Sequence, residues 1–310
     1  MNPINARLSA VLGAVAIAFS SSFVKLSHAS PSTAAIFRCA YALPLLALLA
    51  WREDRMYGTR PWRDRRAAIA AGLFWGVDLV LWHHSIEDVG AGLATVLANI
   101  QVVLVPLVAW LLLAERPRRQ VVAALPVTLL GVILISGVAE HGAYGSNPAA
   151  GAVYGTTAGV AYVPFLLLLR RGGVDLRRPA GPLLDATAAA AVMSAVIGVI
   201  GGDARFVPTW PGAGWLVLLA LTSQIFGWLL ITISLPRLPA AITSLLLMIQ
   251  PVGALALGAV IFGESPSVLQ LFGVVLVMAA VVFATRKPAS ETGLAPVPGS
   301  AVPRPVRPRR

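Results

Sequence analysis

The feature that most constrains the fold of this chain is a series of long apolar blocks, each about 17 to 24 residues in length. A helix rises about 1.5 Å per residue, so about 20 apolar residues cross the roughly 30 Å hydrocarbon core of a bilayer. Short stretches rich in Pro, Gly and Arg separate the blocks. The series predicts an all-α polytopic membrane protein with ten transmembrane helices, at 8–27, 34–51, 67–86, 91–113, 121–137, 151–169, 184–201, 213–235, 239–262 and 267–285.

The composition indicates lipid rather than water as the main solvent. The 310 residues are 57% hydrophobic and 12% charged, with a mean hydropathy of +0.80, whereas a soluble domain is about 25% charged. We interpret the first block as a retained helix rather than a signal sequence, because it is long for a signal and runs straight into the second block. The single cysteine, Cys39, excludes an intramolecular disulfide.

The formal net charge of +11 lies mainly on one side of the predicted helices. If the N-terminus is cytoplasmic, 21 of the 24 lysines and arginines fall in cytoplasmic segments, and the other three are Lys25, Arg38 and Arg205. This asymmetry follows the positive-inside rule. It predicts that both termini are cytoplasmic and that the charge encodes topology rather than a nucleic-acid partner.

Two stretches of the chain resemble each other at an offset of 149 residues: "LANIQVVLVPLVAWLLLAERP" at 97–117 and "LLMIQPVGALALGAVIFGESP" at 246–266. Each places a glutamine 14 positions before a glutamate, and these pairs are Gln101 with Glu115 and Gln250 with Glu264. The repeat unit holds five helices, an odd number, so the second copy enters the membrane from the opposite side. The turn reads "ERPRRQ" in the first copy and "ESPSVLQ" in the second, as expected when the second turn faces the periplasm.

The repeat divides the chain into two inverted five-helix halves. We predict a first repeat at 1–137, a periplasmic connector at 138–150, a second repeat at 151–285 and a tail at 286–310. The tail is basic and rich in Pro without an apolar period, so its composition predicts a disordered cytoplasmic segment.

Several amides and hydroxyls lie deep in the predicted helices, where polar groups are costly and mark candidate sites. Gln101 and Gln250 lie near the midplane, which the axis of an inverted repeat also crosses, so both are candidates for one central cavity. Gln224, Asn99 and Ser244 lie at a similar depth. The alternative is that these side chains hydrogen-bond between helices, at about 1 kcal/mol each.

Asp78 is the one carboxylate deep inside a predicted span, in "GLFWGVDLVLWHH". Trp75 and Trp82 precede and follow it by three and four residues, on the same helix face. A carboxylate beside aromatic rings is suited to binding an amine or a proton. The alternative is a structural partnership with Arg38 or Lys25.

Arg38 lies about one turn inside the predicted outer end of the second span, where it attracts an anionic group or extends to the outer interface. "HHSIED" lies at the same edge of the membrane, and no second ligand cluster accompanies it, so we expect no metal site. No cofactor motif is visible either.

Prolines and glycines mark special positions in other spans. Pro106 and Pro251 are predicted to interrupt their helices and to free carbonyls near the glutamines, or else to kink them. Glycines at three successive turns of the sixth span predict close helix packing. Tyr154 and Tyr162 on that span are candidates to present rings to a cavity.

The pattern resembles the drug/metabolite transporter superfamily, and within it the bacterial exporters with two EamA repeats. The matching segments are "LLLAERP" and "VIFGESP", the helices "LLGVILISG" and "LFGVVLVMA", and "FSSSFVKLSHASPSTAAIFRCAYA" with Arg38. The similarity covers about residues 8–285. The chain departs from the family at Val102, where a proline is usual, and at Ala114, where a glycine precedes the glutamate.

The resemblance implies a transporter of the bacterial inner membrane, with a central cavity formed mainly by helices 1, 3, 4, 6, 8 and 9 and alternating access. It implies export of small amphipathic metabolites, and the aromatic candidates, which include Trp228, favour aromatic or other neutral amino acids as substrates. Lipophilic cations such as quaternary amines are the alternative substrates, and an intramembrane enzyme is the remote one. We expect a monomer or homodimer in the lipid bilayer.

Overall fold

The structure is a computed structural model, and it describes residues 3–113, 119–137, 139, 141–173, 175, 177–234 and 249–285. Ten apolar spans occupy this part of the chain, and we number them in chain order. Spans 1 to 5 are Pro3–Ala18 with Ser20–Ser27, Pro31–Tyr57, Trp62–Val89, Ala91–Ala98 with Gln101–Leu113, and Arg119–Ile135. Spans 6 to 10 are Pro148–Gly172, Ala180–Gly201, Gly212–Leu219 with Ala220–Gly227 and Trp228–Ser234, Ile249–Phe262, and Val268–Thr285.

The spans confirm the predicted all-α membrane fold. Six of them are long and apolar enough to cross a bilayer, and four shorter apolar helices supply the rest in the described part of the chain. Proline starts spans 2 and 6, where the missing N–H costs no helical hydrogen bond. The Asn147 side chain caps span 6 by accepting from the Ala150 N–H at 3.2 Å.

Helix packing follows the symmetry that an inverted repeat requires. Span 2 packs on span 7, span 4 on span 9 and span 5 on span 10, so each of these spans contacts its own counterpart in the other half. Span 3 packs on span 6, and span 1 packs on span 8. Spans 3 and 8 correspond in the repeat, as do spans 1 and 6, so these two contacts are symmetry-related. The two halves are therefore interleaved about a pseudo-two-fold axis.

Acidic side chains join the halves at helix N-termini. The Glu53 carboxylate on span 2 accepts from the Ala180 and Gly181 N–H groups of span 7, both at 2.9 Å. Asp203, just after span 7, accepts from the Ser32 N–H of span 2 at 3.0 Å. Ser32 and Gly181 are 149 residues apart, so the two caps are related by the repeat. A carboxylate is favourable at a helix N-terminus because it satisfies free N–H groups and opposes the positive end of the dipole.

Glu264, the repeated glutamate of the second half, forms a third such cap. Its carboxylate accepts from the Ala91 and Gly92 N–H groups of span 4, at 2.8 and 3.1 Å. The Lys25 ammonium lies 2.7 Å from the same carboxylate, so Lys25 is paired rather than free at an interface. Glu264 therefore docks the second half of the chain onto a helix of the first half. Its counterpart Glu115 lies outside the described residues, as does the tail at 286–310.

The bundle has two ends, which we name after a residue at each. The Glu264 end carries the turns at 28–30, 202–211 and 263–267, and the Arg60 end carries those at 58–61 and 173–179. At the Arg60 end the guanidinium of Arg60 lies 2.9 Å from the Asp185 carboxylate.

Span 4 is interrupted, but not where its proline predicted. The helix Gln101–Leu113 runs through Pro106, and the interruption lies at Asn99 and Ile100, where the Asn99 amide donates to the Thr95 carbonyl at 2.7 Å. Beside it, the backbone N–H groups of Asn99 and Ile100 donate to carbonyls three residues earlier instead of four. The side-chain bond and this tighter turn end the first helix. The prediction of a break at Pro106 is therefore wrong by about two turns.

Prolines, glycines and a π-helical segment also mark spans 6, 8 and 9. Pro251 lies within the described part of span 9, Ile249–Phe262, which continues past it without a break. The three glycines of span 6 face spans 3 and 4, and a Cβ on Gly159 would lie 2.7 Å from the Ala98 carbonyl. Span 8 contains eight residues of π-helix, Ala220–Gly227, a geometry that is frequent at functional sites.

Candidate functional site

An aromatic cluster lies between spans 3, 6 and 8. Trp75 stacks on Phe165 with a 4.5 Å centroid distance, and Trp228 contacts Trp75 edge-on at 5.2 Å. Tyr162 meets Phe165 edge-on at 5.0 Å and lies 6.3 Å from Trp228. The cluster therefore brings together three of the predicted residues, Trp75, Tyr162 and Trp228, from three separate spans.

A polar cluster is centred on Arg38 of span 2. The Arg38 Nε donates to the Gln224 Oε1 at 3.2 Å, and the Gln224 amide nitrogen donates to the Thr187 hydroxyl at 3.2 Å. The π-helical segment carries Gln224, which is fully buried. The Arg38 Nη1 lies 3.4 Å from the His83 Nε2. Spans 2, 3, 7 and 8 thus each contribute a side chain to this cluster.

Asp78 links the two clusters. It is 5% exposed, and Arg38 and Tyr162 are ionisable groups close to its carboxyl group. No described residue donates a hydrogen bond to its carboxylate or lies within ion-pair distance of it. Trp82, one turn along span 3, lies beside the Arg38 guanidinium at 5.9 Å from the ring centroid. A buried guanidinium and a buried carboxyl group therefore lie next to an aromatic surface.

The interpretation of Arg38 as a side chain that extends to the outer interface is wrong. The residue is 3% exposed, because Gln224 and His83 supply acceptors that hold the guanidinium inside the bundle. Five N–H donors make an arginine costly to bury without such partners.

Of the two candidate tyrosines of span 6, Tyr162 belongs to the aromatic cluster and Tyr154 does not. Tyr154 stacks on His84 at 5.2 Å near the Glu264 end, two turns away from the aromatic cluster. The His84 Nε2 also lies 3.8 Å from the Asp203 carboxylate. His84 is therefore engaged by two neighbours from spans 6 and 7.

The predicted glutamines differ in how they are engaged. Gln224 has hydrogen-bond partners at both ends of its amide, whereas the buried Oε1 of Gln101 has none among the described residues. Gln250 is half-buried at the start of span 9, and no described contact joins it to Gln101. Ser244 lies outside the described residues. Convergence of the two repeated glutamines on one cavity therefore stays a prediction.

Three residues of the site were not among the sequence candidates: Phe165, Thr187 and His83. Phe165 and Thr187 are ordinary residues of apolar helices, and no local pattern distinguishes them. His83 lies near the outer end of the predicted span 67–86, and it is 1% exposed inside span 3. A histidine within an apolar span was itself the available signal.

A cavity of about 550 Å³ lies at the Glu264 end of the bundle. Its charged lining comprises Lys25, Arg205 and Glu87, and His83 belongs to its lining as well. Because His83 also contacts Arg38, its ring touches both the cavity and the polar cluster.

Comparisons with known proteins agree with this architecture. The model of the EamA-like transporter family matches residues 5–137 and 183–286, which contain spans 1 to 5 and 7 to 10. A solved structure titled only "Crystal structure of protein" is 17% identical, covers 92% of this chain and 98% of its own, and superposes with a TM-score of 0.60. At this identity the likeness shows the fold alone. No curated protein matches the sequence.

Proposed function

Because the chain belongs to the EamA-like transporter family, we propose that it is a secondary transporter that exports small amphipathic metabolites by alternating access, with aromatic or other neutral amino acids as its preferred substrates. The observation that carries this proposal is the buried pair of opposite charges, Arg38 and Asp78, beside the aromatic cluster. An amino acid with an apolar side chain presents the complementary groups: a carboxylate, an ammonium and an apolar body.

The Arg38 guanidinium is suited to receive the carboxylate. Gln224 and His83 hold its Nε and Nη1 atoms, and no described residue accepts from its Nη2 atom. Arginine N–H groups form strong charge-assisted hydrogen bonds to carboxylates. Its two described partners are neutral, so the positive charge stays available for an anionic group.

Asp78 and the aromatic rings are suited to the rest of the substrate. A carboxylate without a hydrogen-bond donor among the described residues is an acceptor for a substrate ammonium. Trp75, Phe165, Tyr162 and Trp228 offer ring faces that favour an aromatic side chain. The same carboxylate and rings also favour a lipophilic cation, and for such a substrate Arg38 would have no partner.

Alternating access is supported by the inverted repeat and by the cavity at the Glu264 end. The Arg38 and Asp78 cluster lies beyond His83 from that cavity, in the interior of the bundle. We infer that a rearrangement of the two halves closes the cavity at the Glu264 end and opens the site toward the Arg60 end.

The orientation follows from the charges. The Arg60 end carries most of the described arginines, including Arg52, Arg63 and Arg170, so we infer that this end is cytoplasmic. From the resemblance to bacterial exporters we propose that the membrane is the bacterial inner membrane. Both termini then lie in the cytoplasm and the Glu264 cavity opens to the periplasm.

Counterflow in proteoliposomes tests the substrate class. Vesicles loaded with unlabelled phenylalanine or tryptophan should accumulate the labelled amino acid with saturable kinetics, and protein-free vesicles should not. A labelled quaternary amine is the competing probe. Saturable exchange of the amine alone would replace amino acids by lipophilic cations, and exchange of neither probe would contradict the proposal.

A further inference from the structure

We propose that His83 is the positioning residue that orients Arg38 for substrate carboxylates, an inference that rests on the proposed function. His83 is one of the two described side chains that accept from the guanidinium, and it alone also lines the cavity. Its ring therefore lies where a substrate leaves the buried site for the cavity at the Glu264 end.

The hydrogen bonds of His83 fix its tautomer. Its Nδ1 lies 3.0 Å from the Pro31 carbonyl oxygen, which only accepts, so Nδ1 carries the proton. Its Nε2 lies 3.4 Å from the Arg38 Nη1, which only donates, so Nε2 is the acceptor. The ring that satisfies both contacts is the neutral Nδ1–H form.

The two anchors of His83 both belong to span 2. Pro31 and Arg38 are seven residues apart, which is about two helical turns, so they lie on the same face of that helix. The imidazole of span 3 therefore bridges two positions of one face. This bridge holds the ring against rotation, and the ring in turn fixes the Nη1 edge of the guanidinium.

A neutral acceptor suits this task better than a carboxylate would. An acidic side chain at the same place would pair with Arg38 and cancel its charge. Imidazole and the Gln224 amide orient two edges of the guanidinium and leave its charge for a ligand. An arginine with several rotatable bonds loses less entropy on binding when its position is fixed beforehand.

Transport by variants tests the role. His83→Leu keeps an apolar side chain of similar size but removes the acceptor, and we expect it to raise the KM for phenylalanine about tenfold with little change in the maximal rate. His83→Gln retains an acceptor oxygen and should stay within about threefold of the wild type. His84→Leu is the matched control, because His84 contacts Tyr154 and Asp203 but not Arg38.

An inhibitor without a carboxylate distinguishes a loss of Arg38 positioning from a general loss of structure in His83→Leu. Phenethylamine has the ring and the ammonium of phenylalanine but no carboxylate. Its inhibition constant for phenylalanine exchange should therefore be the same in wild type and His83→Leu. Equal weakening toward both compounds would assign His83 a merely structural role. An unchanged KM for phenylalanine in His83→Leu would overturn the proposal.

A spectroscopic measurement tests the same residue without transport. In ¹⁵N-histidine spectra of the full chain in detergent micelles, the His83 signal, identified by its loss in His83→Gln, should be that of the Nδ1–H tautomer. An Nε2–H or doubly protonated ring would overturn the inference even if amino acids are exchanged. If wild type exchanges no amino acid but shows the Nδ1–H ring, the proposed substrate class fails while the geometry at Arg38 holds.

Discussion

At the scale of single residues, the chain places a guanidinium and a carboxyl group in an apolar interior, which costs free energy unless each finds partners. Arg38 finds Gln224 and His83, whereas the described part of the chain gives the Asp78 carboxylate no donor. A buried, unpaired carboxylate inside a membrane helix is retained at a cost, and that cost is typical of a functional group. Asp78 is therefore the side chain whose replacement is most informative about the substrate.

We expect Asp78→Asn to raise the KM for phenylalanine in proteoliposomes at least tenfold, because an amide replaces a charged acceptor for the substrate ammonium. Asp88→Asn, on the same helix and half-buried at the Glu264 end, is the control and should leave the KM within about twofold. Unchanged exchange in Asp78→Asn would show that Asp78 is structural.

At the scale of helices, carboxylates at helix N-termini join the halves of the repeat. Glu53, Asp203 and Glu264 each accept from backbone N–H groups of a helix in the other half. Small residues make the third contact possible, since a Cβ on Gly258 would lie 2.3 Å from the Glu264 Oε2 and one on Gly92 would lie 3.4 Å from it. The helix N-terminus and the glycines together form a slot that fits this carboxylate.

Gly258→Ala should therefore displace the Glu264 carboxylate and lower the melting temperature in detergent by about 2 °C or more, through loss of a cap that is worth about 1 kcal/mol. Gly201→Ala is the control, because its Cβ would make ordinary contact at 3.6 Å with Asp203. Equal melting temperatures for the two variants would contradict the role of the slot.

At the scale of the whole molecule, basic residues concentrate at the Arg60 end, and the cavity lies at the opposite end. Positive loops are enriched on the cytoplasmic side, so this asymmetry is the basis of the proposed orientation.

Cysteine labelling tests that orientation. Cys39 is the only cysteine and is fully buried, so Cys39→Ser gives a background without thiols. We expect Val207→Cys, which is exposed at the Glu264 end, to react with a membrane-impermeant maleimide in intact cells. Arg63→Cys, exposed at the Arg60 end, should react only after permeabilisation. The reverse pattern would invert the proposed topology.

The sequence by itself determined the ten helices, the repeat and the charge asymmetry. The helices follow from the lengths of the apolar blocks, the repeat from the spacing of similar segments, and the asymmetry from the positions of lysine and arginine. It also identified Asp78, Trp75, Tyr162 and Trp228, which are conspicuous within their own helices. Only the tertiary structure decided that Gln224 rather than Gln101 holds Arg38, that Phe165 completes the aromatic cluster and that Glu264 caps span 4. These contacts join residues up to 186 positions apart, and no local pattern encodes which faces of distant helices meet.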